Sequence, residues 1–416
     1  MRPSRRPRDA GETGKRSGSG RGGSIWCWPT NCCRASRTST GSTPSCSRRA
    51  GRPGDAVSAG RTARAVSAGG PLRVGVVGLG WFGRIHLDAW AAVRGAAVVG
   101  VCDRDPAVFE VAQEAAQSGF HADAGGSARP AIGPQVRRCT SLSDLLHQGI
   151  DLLDVVVTEE EHAACVRAAL AAGVDVVVEK PLATGLDAAV ELAATAARQG
   201  RHIYAGQVLR FDPRHVALAE LVRGQPLRHM SLSRHFQTRA HDVYGRAHPV
   251  LNASVHDIDL SVWLAGRAPE RVSAYGSYFL GREHPDCVDL VLEWDGGLRA
   301  VIQNSWHLAA SCPYGFVFDA VVHAAGASYT LRSEPVLQEW SERAAVSPEL
   351  FFWPRYADQR QGALVAELQH FTDCAAAGVP SPRVPLADVL AVMSTCEAAM
   401  TALRTGGPVV PARAGG

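Results

Sequence analysis

Residues 72–90, LRVGVVGLGWFGRIHLDAW, constrain the fold more than any other stretch of the chain. An apolar, β-branched run leads into Gly78, Gly80 and Gly83, and then into an amphipathic pattern carrying Ile85, Leu87 and Trp90. Strand, glycine turn and helix is the order that a dinucleotide site requires. Gly78 permits the tight turn, Gly80 lets the backbone approach a pyrophosphate, and Gly83 lets the helix pack on the strand, with the diphosphate at the helix N-terminus. A glycine turn alone is a weak signal, but here a second strand-like run, AAVVGVCD, ends in Asp103. An acid at that distance accepts hydrogen bonds from the adenosine ribose hydroxyls. Asp103 favours NAD because a carboxylate repels the 2′-phosphate of NADP. Arg104 beside it offers that phosphate a guanidinium, so NADP stands as the lesser alternative.

The alternation continues. A helix is expected from Pro106 to Gln117, then a Gly/Ala/Pro-rich loop, a short helix at SLSDLL and a buried strand at IDLLDVVVT. Helical EEEHAACVRAALAAG follows, and then the apolar strand VDVVVEK. Strands alternating with helices imply parallel pairing with helices on both sheet faces, and ligands bind outside the carboxyl ends of such strands. Glu179 and Lys180 stand at that end, where Pro181 stops the ladder. Either they face a ligand or they merely mark the strand exit.

With 416 residues, 46% of them hydrophobic, the chain has material for two domains. Residues 1–70 are rich in Arg, Ser and Gly without apolar periodicity and are expected to be disordered. They fit a transit peptide, a basic arm or a start assigned too far upstream. They hold 14 Lys and Arg against 3 Asp and Glu, so the +3 net charge leaves the remainder at −8, which argues against a nucleic-acid partner. No uninterrupted apolar run suits a membrane span, so no membrane partner is expected. Four of the 11 cysteines lie in the tail and seven are scattered beyond it, a pattern that suits reduced thiols in a cytoplasmic protein with no metal site.

A second stretch, NASVHDIDLSVW, places Asn252, His256, Asp259 and Trp263 on one helical stripe. Read alone, Asn252 or Ser254 is an N-cap, Ser254 and Asp257 form a capping box, and His256 is a satisfied histidine near the helix start.

The ordered set VGLGWFGRIH, VDVVVEKPLATG, LRFDP and NASVHDIDLSVWLAG resembles the Gfo/Idh/MocA family of oxidoreductases, inositol 2-dehydrogenase among them, from Leu72 to about Pro411. The resemblance implies α/β architecture: a Rossmann domain over 71–205, and over 206–411 a substrate-binding and oligomerisation domain with a large open, mostly antiparallel sheet. Strand-like runs at LRHMSLSRHFQ, ERVSAYGSYFL, CVDLVLEWDGGLRAVIQNSW, GFVFDAVVH and SYTLRSE, with turns such as DGG, fit such a sheet as a meander. A homodimer or homotetramer is expected by the same resemblance.

The family implies that His256 is the general acid/base and Lys180 the cation that orients a substrate hydroxyl. Imidazole suits the first role because its pKa lies near neutral pH. Trp81 and Phe82 in the glycine loop, Thr158, Arg104, Glu179 and Lys180 join the glycines and Asp103 around the cofactor. The expected activity is NAD-dependent oxidation of a secondary alcohol of a cyclitol or sugar. The alternatives are an NADP-dependent nucleotide-sugar or aldose dehydrogenase and an inactive cofactor-binding sensor. Two positions depart from the family. Asn252 stands where many relatives carry an Asp that would charge-stabilise the imidazolium, leaving Asp257 or Asp259 to supply that charge or the substrate to differ. TEEEH, with Glu159, replaces the usual Thr-Pro. Gln207 and Arg210 are expected to face the cleft, Arg210 holding substrate or else an acid such as Asp212.

Overall fold

Strands β1 (Leu72–Val77), β2 (Ala96–Cys102), β3 (Arg137–Cys139), β4 (Leu152–Val155), β5 (Asp175–Val178) and β6 (Ile203–Ala205) form one parallel sheet in the order β3-β2-β1-β4-β5-β6. The computed structural model describes residues 70–413 apart from 111–131, 242–244, 314, 334–335, 341, 343–344 and 357–358. The basic tail, and most of the helix and loop expected after Pro106, lie outside the described residues. Helices α1 (Trp81–Trp90), α2 (Ala107–Glu110), α3 (Leu142–Leu146), α4 (His162–Ala171) and α5 (Leu186–Gln199) connect the strands. β4 and β5 are buried at every residue, which is why LLDV and DVVV read as continuous rather than alternating runs. The strand order reverses between β1 and β4, so the crevice at their carboxyl ends is the ligand position of this architecture.

After α6 (Pro213–Val222), a second sheet is built from β7 (Leu227–Gln237), β8 (Arg271–Ser277), β9 (Cys287–Glu293), β10 (Arg299–Leu308), β11 (Phe316–Ala324) and β12 (Ala327–Arg332), with α7 (Val255–Ala265) between β7 and β8. Every strand-like run in this half of the sequence is a strand, and burial alternates along β9 and β10 as expected of a sheet packed on one face. The meander is only partial. The order is β12-β11-β7-β10-β9-β8, with β7 inserted beside β10 as the one parallel pair. The reason is the crossover: α7 carries the chain from β7 to β8 in the same direction, and the β9–β10 hairpin fills the space between them.

Helices α8 (Ala363–Ala377) and α9 (Leu386–Thr405) close the core, α9 lying on β8, α7 and α5 and so joining both sheets' layers. By length and composition α9 is apolar enough to cross a membrane, although polar residues interrupt its apolar run in the sequence. Half of its most apolar window is buried inside the protein. The seven described cysteines are all free, and five of them are buried.

Candidate active site

The glycine loop is forced by contact. Gly78 has φ +92°, and a Cβ there would stand 2.4 Å from the Val156 carbonyl oxygen. A Cβ on Gly83 would stand 1.8 Å from the Gly78 carbonyl oxygen. At Gly80 a Cβ position meets nothing within 4 Å, so the backbone at the N-terminus of α1 opens onto a cavity of about 820 Å³ that Trp81 and Phe82 also line. Asp103, at the end of β2, accepts the Leu79 N–H at 2.8 Å with Oδ2 and the Asp105 N–H at 3.0 Å with Oδ1. It thereby ties the loop to β2, and each oxygen keeps a further lone pair for a ribose hydroxyl. Arg104 and Thr158 lie on the cavity wall, with the Arg104 side chain 82% exposed and 3.5 Å from Glu161. An open helix N-terminus, a carboxylate at the second strand and a long cavity along the switch point fit a dinucleotide.

Lys180 lines the same cavity, just past β5. Its Nζ donates to the Asn252 carbonyl at 3.2 Å, a link between the two halves of the molecule. Desolvation pulls the Lys180 pKa down; Glu179 and Glu159 act against this, while Arg246 and Arg234 add to it.

The capping-box reading of 252–263 does not hold. Val250–Ser254 is a π-helical turn running straight into α7, Ser254 makes no side-chain cap, and its hydroxyl donates to Asn304 instead. His256 and Asn252 both line the cavity. His256 Nδ1 is buried without a hydrogen-bond partner among the described residues. Desolvation, then Lys180, Arg234 and His215, hold its pKa well below the usual histidine value, so the ring is a neutral base at physiological pH.

The rest of the expected stripe faces away. Asp259 is spent on Arg210, at 2.7 Å, and Trp263 lies under the same guanidinium, 5.6 Å from its ring centre. Asp257 holds Arg234 through two bonds of 3.1 and 2.9 Å. Neither acid replaces the charge missing at Asn252. Arg210 is 1% exposed between Asp259 and Asp388, so it is a structural cation, neither a substrate ligand nor the partner of Asp212. Asp212 instead caps α6 and pairs with Arg214 and His215. Gln207 is buried, its backbone N–H donating to Glu367 at 2.7 Å, and of that motif Gly206, Val208 and Leu209 reach the cavity. Glu159 pairs with Arg246 at 3.1 Å on the cavity wall.

Several site residues escaped the sequence reading. Arg234 and Phe236 come from β7, Trp306 from β10, Phe316 from β11, and Phe352 and Trp353 from the segment before α8. Phe236 and Trp306 stack at 5.1 Å, and Trp353 meets Phe82 edge-on at 5.2 Å. Strand alternation puts Arg234, Phe236, Trp306 and Phe316 on defined faces, but only the pairing of strands far apart in sequence brings those faces to one cavity. Lys180, singled out from the sequence, carries a further mark: it and Lys15 are the only lysines among 43 Lys and Arg residues.

Residues 72–207 match the family model described as "Oxidoreductase family, NAD-binding Rossmann fold", and residues 222–327 match the "GFO/IDH/MocA C-terminal domain". The chain is 30% identical over 363 residues to inositol 2-dehydrogenase 3 of Saccharopolyspora erythraea, covering 82% of this chain and 95% of that one. It is 25% identical over 355 residues to inositol 2-dehydrogenase 2 of Paenarthrobacter aurescens, covering 81% and 97%. Its fold is similar to the crystal structure of myo-inositol 2-dehydrogenase from Lactobacillus plantarum, with a TM-score of 0.67 at 18% identity over 82% of this chain and all of that one.

Proposed function

Because the chain belongs to the Gfo/Idh/MocA oxidoreductase family, we propose that it uses NAD to oxidise a secondary alcohol of a cyclitol or sugar, with His256 as general acid/base and Lys180 as the hydroxyl-orienting cation. The observation that carries this reading is the meeting of Lys180, from the first sheet, with His256, from α7, in one cavity beside the glycine loop. The choice of lysine supports it. In a chain that uses arginine for almost every cation, the one lysine outside the tail stands at this wall. An ammonium is a compact charge with a tunable pKa, where a guanidinium is a fixed planar fork.

Bound nicotinamide supplies the hydride acceptor; the protein supplies proton handling and orientation. Lys180 places the substrate hydroxyl and stabilises negative charge building on its oxygen. His256, neutral in this pocket, takes the hydroxyl proton. The aromatic wall of Phe236, Trp306 and Phe316 suits the C–H face of a ring, while Arg234 and the Glu159–Arg246 pair suit its hydroxyls. Asp103 and the engagement of Arg104 by Glu161 favour NAD over NADP. The relatives named inositol 2-dehydrogenase favour a cyclitol.

A panel of cyclitols and sugars with NAD and NADP, followed by NADH absorbance, tests the reading. Turnover with NAD is expected on at least one cyclitol. His256→Ala and Lys180→Ala should each lower kcat by roughly 10² to 10⁴, with NADH affinity little changed. NADH binding without turnover on any polyol would favour the sensor reading, whose support is Asn252.

A further inference from the structure

Outside the cavity, where the chain enters β9 beside β10, three side chains with three different donor atoms converge: Asp286, Cys287 and His307. A carboxylate oxygen, the Cys287 Sγ and a His307 ring nitrogen all lie within 4.8 Å of one another. His307 Nε2 is 2.9 Å from Asp286 Oδ1. The other carboxylate oxygen, Oδ2, accepts the Leu280 N–H, which fixes the carboxylate and leaves Oδ1 toward the group. Asp286 lies under the surface with no solvent contact, Cys287 is half-buried, and the His307 side chain is 35% exposed. The set is therefore anchored on one side and open to solvent on the other. None of the three residues lines the cavity, so neither cofactor binding nor proton transfer at His256 has a use for them.

A charge cut off from water is either paired or bound to a metal. Asp88, Asp212, Asp257 and Asp259, all buried, each meet a guanidinium at 2.9 Å or less. Asp286 does not: among the described residues its one ion-pair partner is His307. An imidazole carries charge only when protonated, whereas a divalent ion shared by imidazole and carboxylate supplies charge whenever it is bound. Burial would raise the Asp286 pKa, but the Leu280 N–H and His307 bring it below the ordinary carboxylate value, so an anion stands ready. Counting cysteine spacings misses such a set, because only one ligand is a thiol and His307 stands twenty residues beyond it.

We propose that Asp286, Cys287 and His307 bind a zinc-type divalent ion, each through one atom, with water in the fourth position. This departs from the expectation of no metal site. One sulfur, one nitrogen and one oxygen suit zinc, whereas magnesium and calcium take oxygen alone. Bonds of about 2.1 Å to nitrogen and oxygen set a tetrahedral N···O separation of about 3.4 Å, so the His307–Asp286 contact opens by only about half an ångström. Binding displaces the Cys287 thiol proton and any proton on His307 Nε2. The ion ties the start of β9 to β10. The Asp286 carbonyl also accepts the Trp306 N–H at 3.0 Å, so the site braces the strand that carries Trp306 into the cavity wall.

Cobalt(II) reports such a site by its colour. Full-length protein stripped of metal with a chelator and titrated with Co²⁺ should develop a near-ultraviolet thiolate-to-metal charge-transfer band and the visible bands of four-coordinate cobalt, and Zn²⁺ should erase both. Cys287→Ser should remove the charge-transfer band. His307→Gln should weaken Co²⁺ binding by about 10²-fold or more, since even the groups behind a metal ligand are worth roughly 10 to 100-fold. Cys312→Ser, which removes another half-buried free thiol, should change neither band nor affinity. Zn²⁺ should raise the Tm of the wild type and of Cys312→Ser alike, and leave that of His307→Gln in place. NADH binding confirms that each variant folds; if Cys287→Ser does not, His307→Gln, a change at the surface, decides. No charge-transfer band in the wild type overturns the proposal. So does a band that survives Cys287→Ser, or an affinity unmoved in His307→Gln, either of which assigns the metal to other thiols of the chain. The readout needs no substrate, so it stands or falls apart from the dehydrogenase reading.

Discussion

The two walls of the cavity are built by different means. The cofactor wall is backbone: one strand, one glycine loop and one helix N-terminus, all within residues 72–90, with Asp103 bracing the loop from the next strand. The wall proposed to meet the substrate is side chains: Lys180, Arg234, His256, Trp306 and Phe316 arrive from parts of the chain spread over more than a hundred residues. A wall made of contiguous backbone tolerates few residue types and accepts a common ligand. A wall assembled from distant side chains can change its substrate one residue at a time without disturbing the fold.

If that contrast is right, the charges behind the substrate wall are scaffold, and the largest effect on stability should come from there. Arg210→Met leaves Asp259 buried without its partner, and breaking such a pair costs about 3–5 kcal/mol. Chemical denaturation should show that loss, while the folded fraction keeps its NADH affinity. A variant of wild-type stability whose KM for substrate rises would return Arg210 to the cleft and blur the distinction.

The cofactor wall should break through backbone geometry instead. Gly83→Ala adds a methyl 1.8 Å from the Gly78 carbonyl oxygen, so the loop must open. Overpacking of this severity costs about 3 kcal/mol, or about 10² in NADH affinity, measured by fluorescence titration. Turnover at saturating NAD should suffer less than affinity does. Near-native binding would mean that the loop is not rigid.

The same contrast decides what could be read from sequence. Gly78, Gly80, Gly83 and Asp103 were legible because strand, turn and acid follow one another within one local unit, and each residue type answers a local constraint. Lys180 was legible because Pro181 fixes it at a strand end. The stripe through Asn252, His256, Asp259 and Trp263 was legible as a pattern and misleading as a site. Helical periodicity assigns residues to a face, but Arg210, 49 residues before Asp259, decides where that acid points. The π-turn at Val250–Ser254 shifts the phase again, so Asn252 and His256 share the cavity while Asp259 does not. Phe236 and Trp306 depend on the β7–β10 parallel pair, which no local pattern announces.

Within the side-chain wall, Asn252 joins the Lys180 side to the His256 side, and the smallest expected effect tests how tightly. Its carbonyl receives the Lys180 ammonium, its amide donates to the Ala247 carbonyl at 3.3 Å, and its side chain shares the cavity with His256. A base works only when unprotonated, so the acidic limb of log kcat/KM against pH follows the pKa of His256 in the free enzyme. Desolvation, Lys180, Arg234 and His215 hold that pKa down, which places the wild-type limb below the ordinary histidine range. Asn252→Asp adds a negative charge beside two groups that favour it. The carboxylate stabilises imidazolium, raises the pKa, and should move the acidic limb to higher pH by about one unit. The substitution is nearly isosteric but gives up the donation to the Ala247 carbonyl, so some stability should be lost while NADH affinity hardly changes, and a shifted limb in the folded protein reports the added charge. An unmoved limb would mean that residue 252 only shapes the π-turn, and that the base is tuned entirely from the Lys180 side of the cavity.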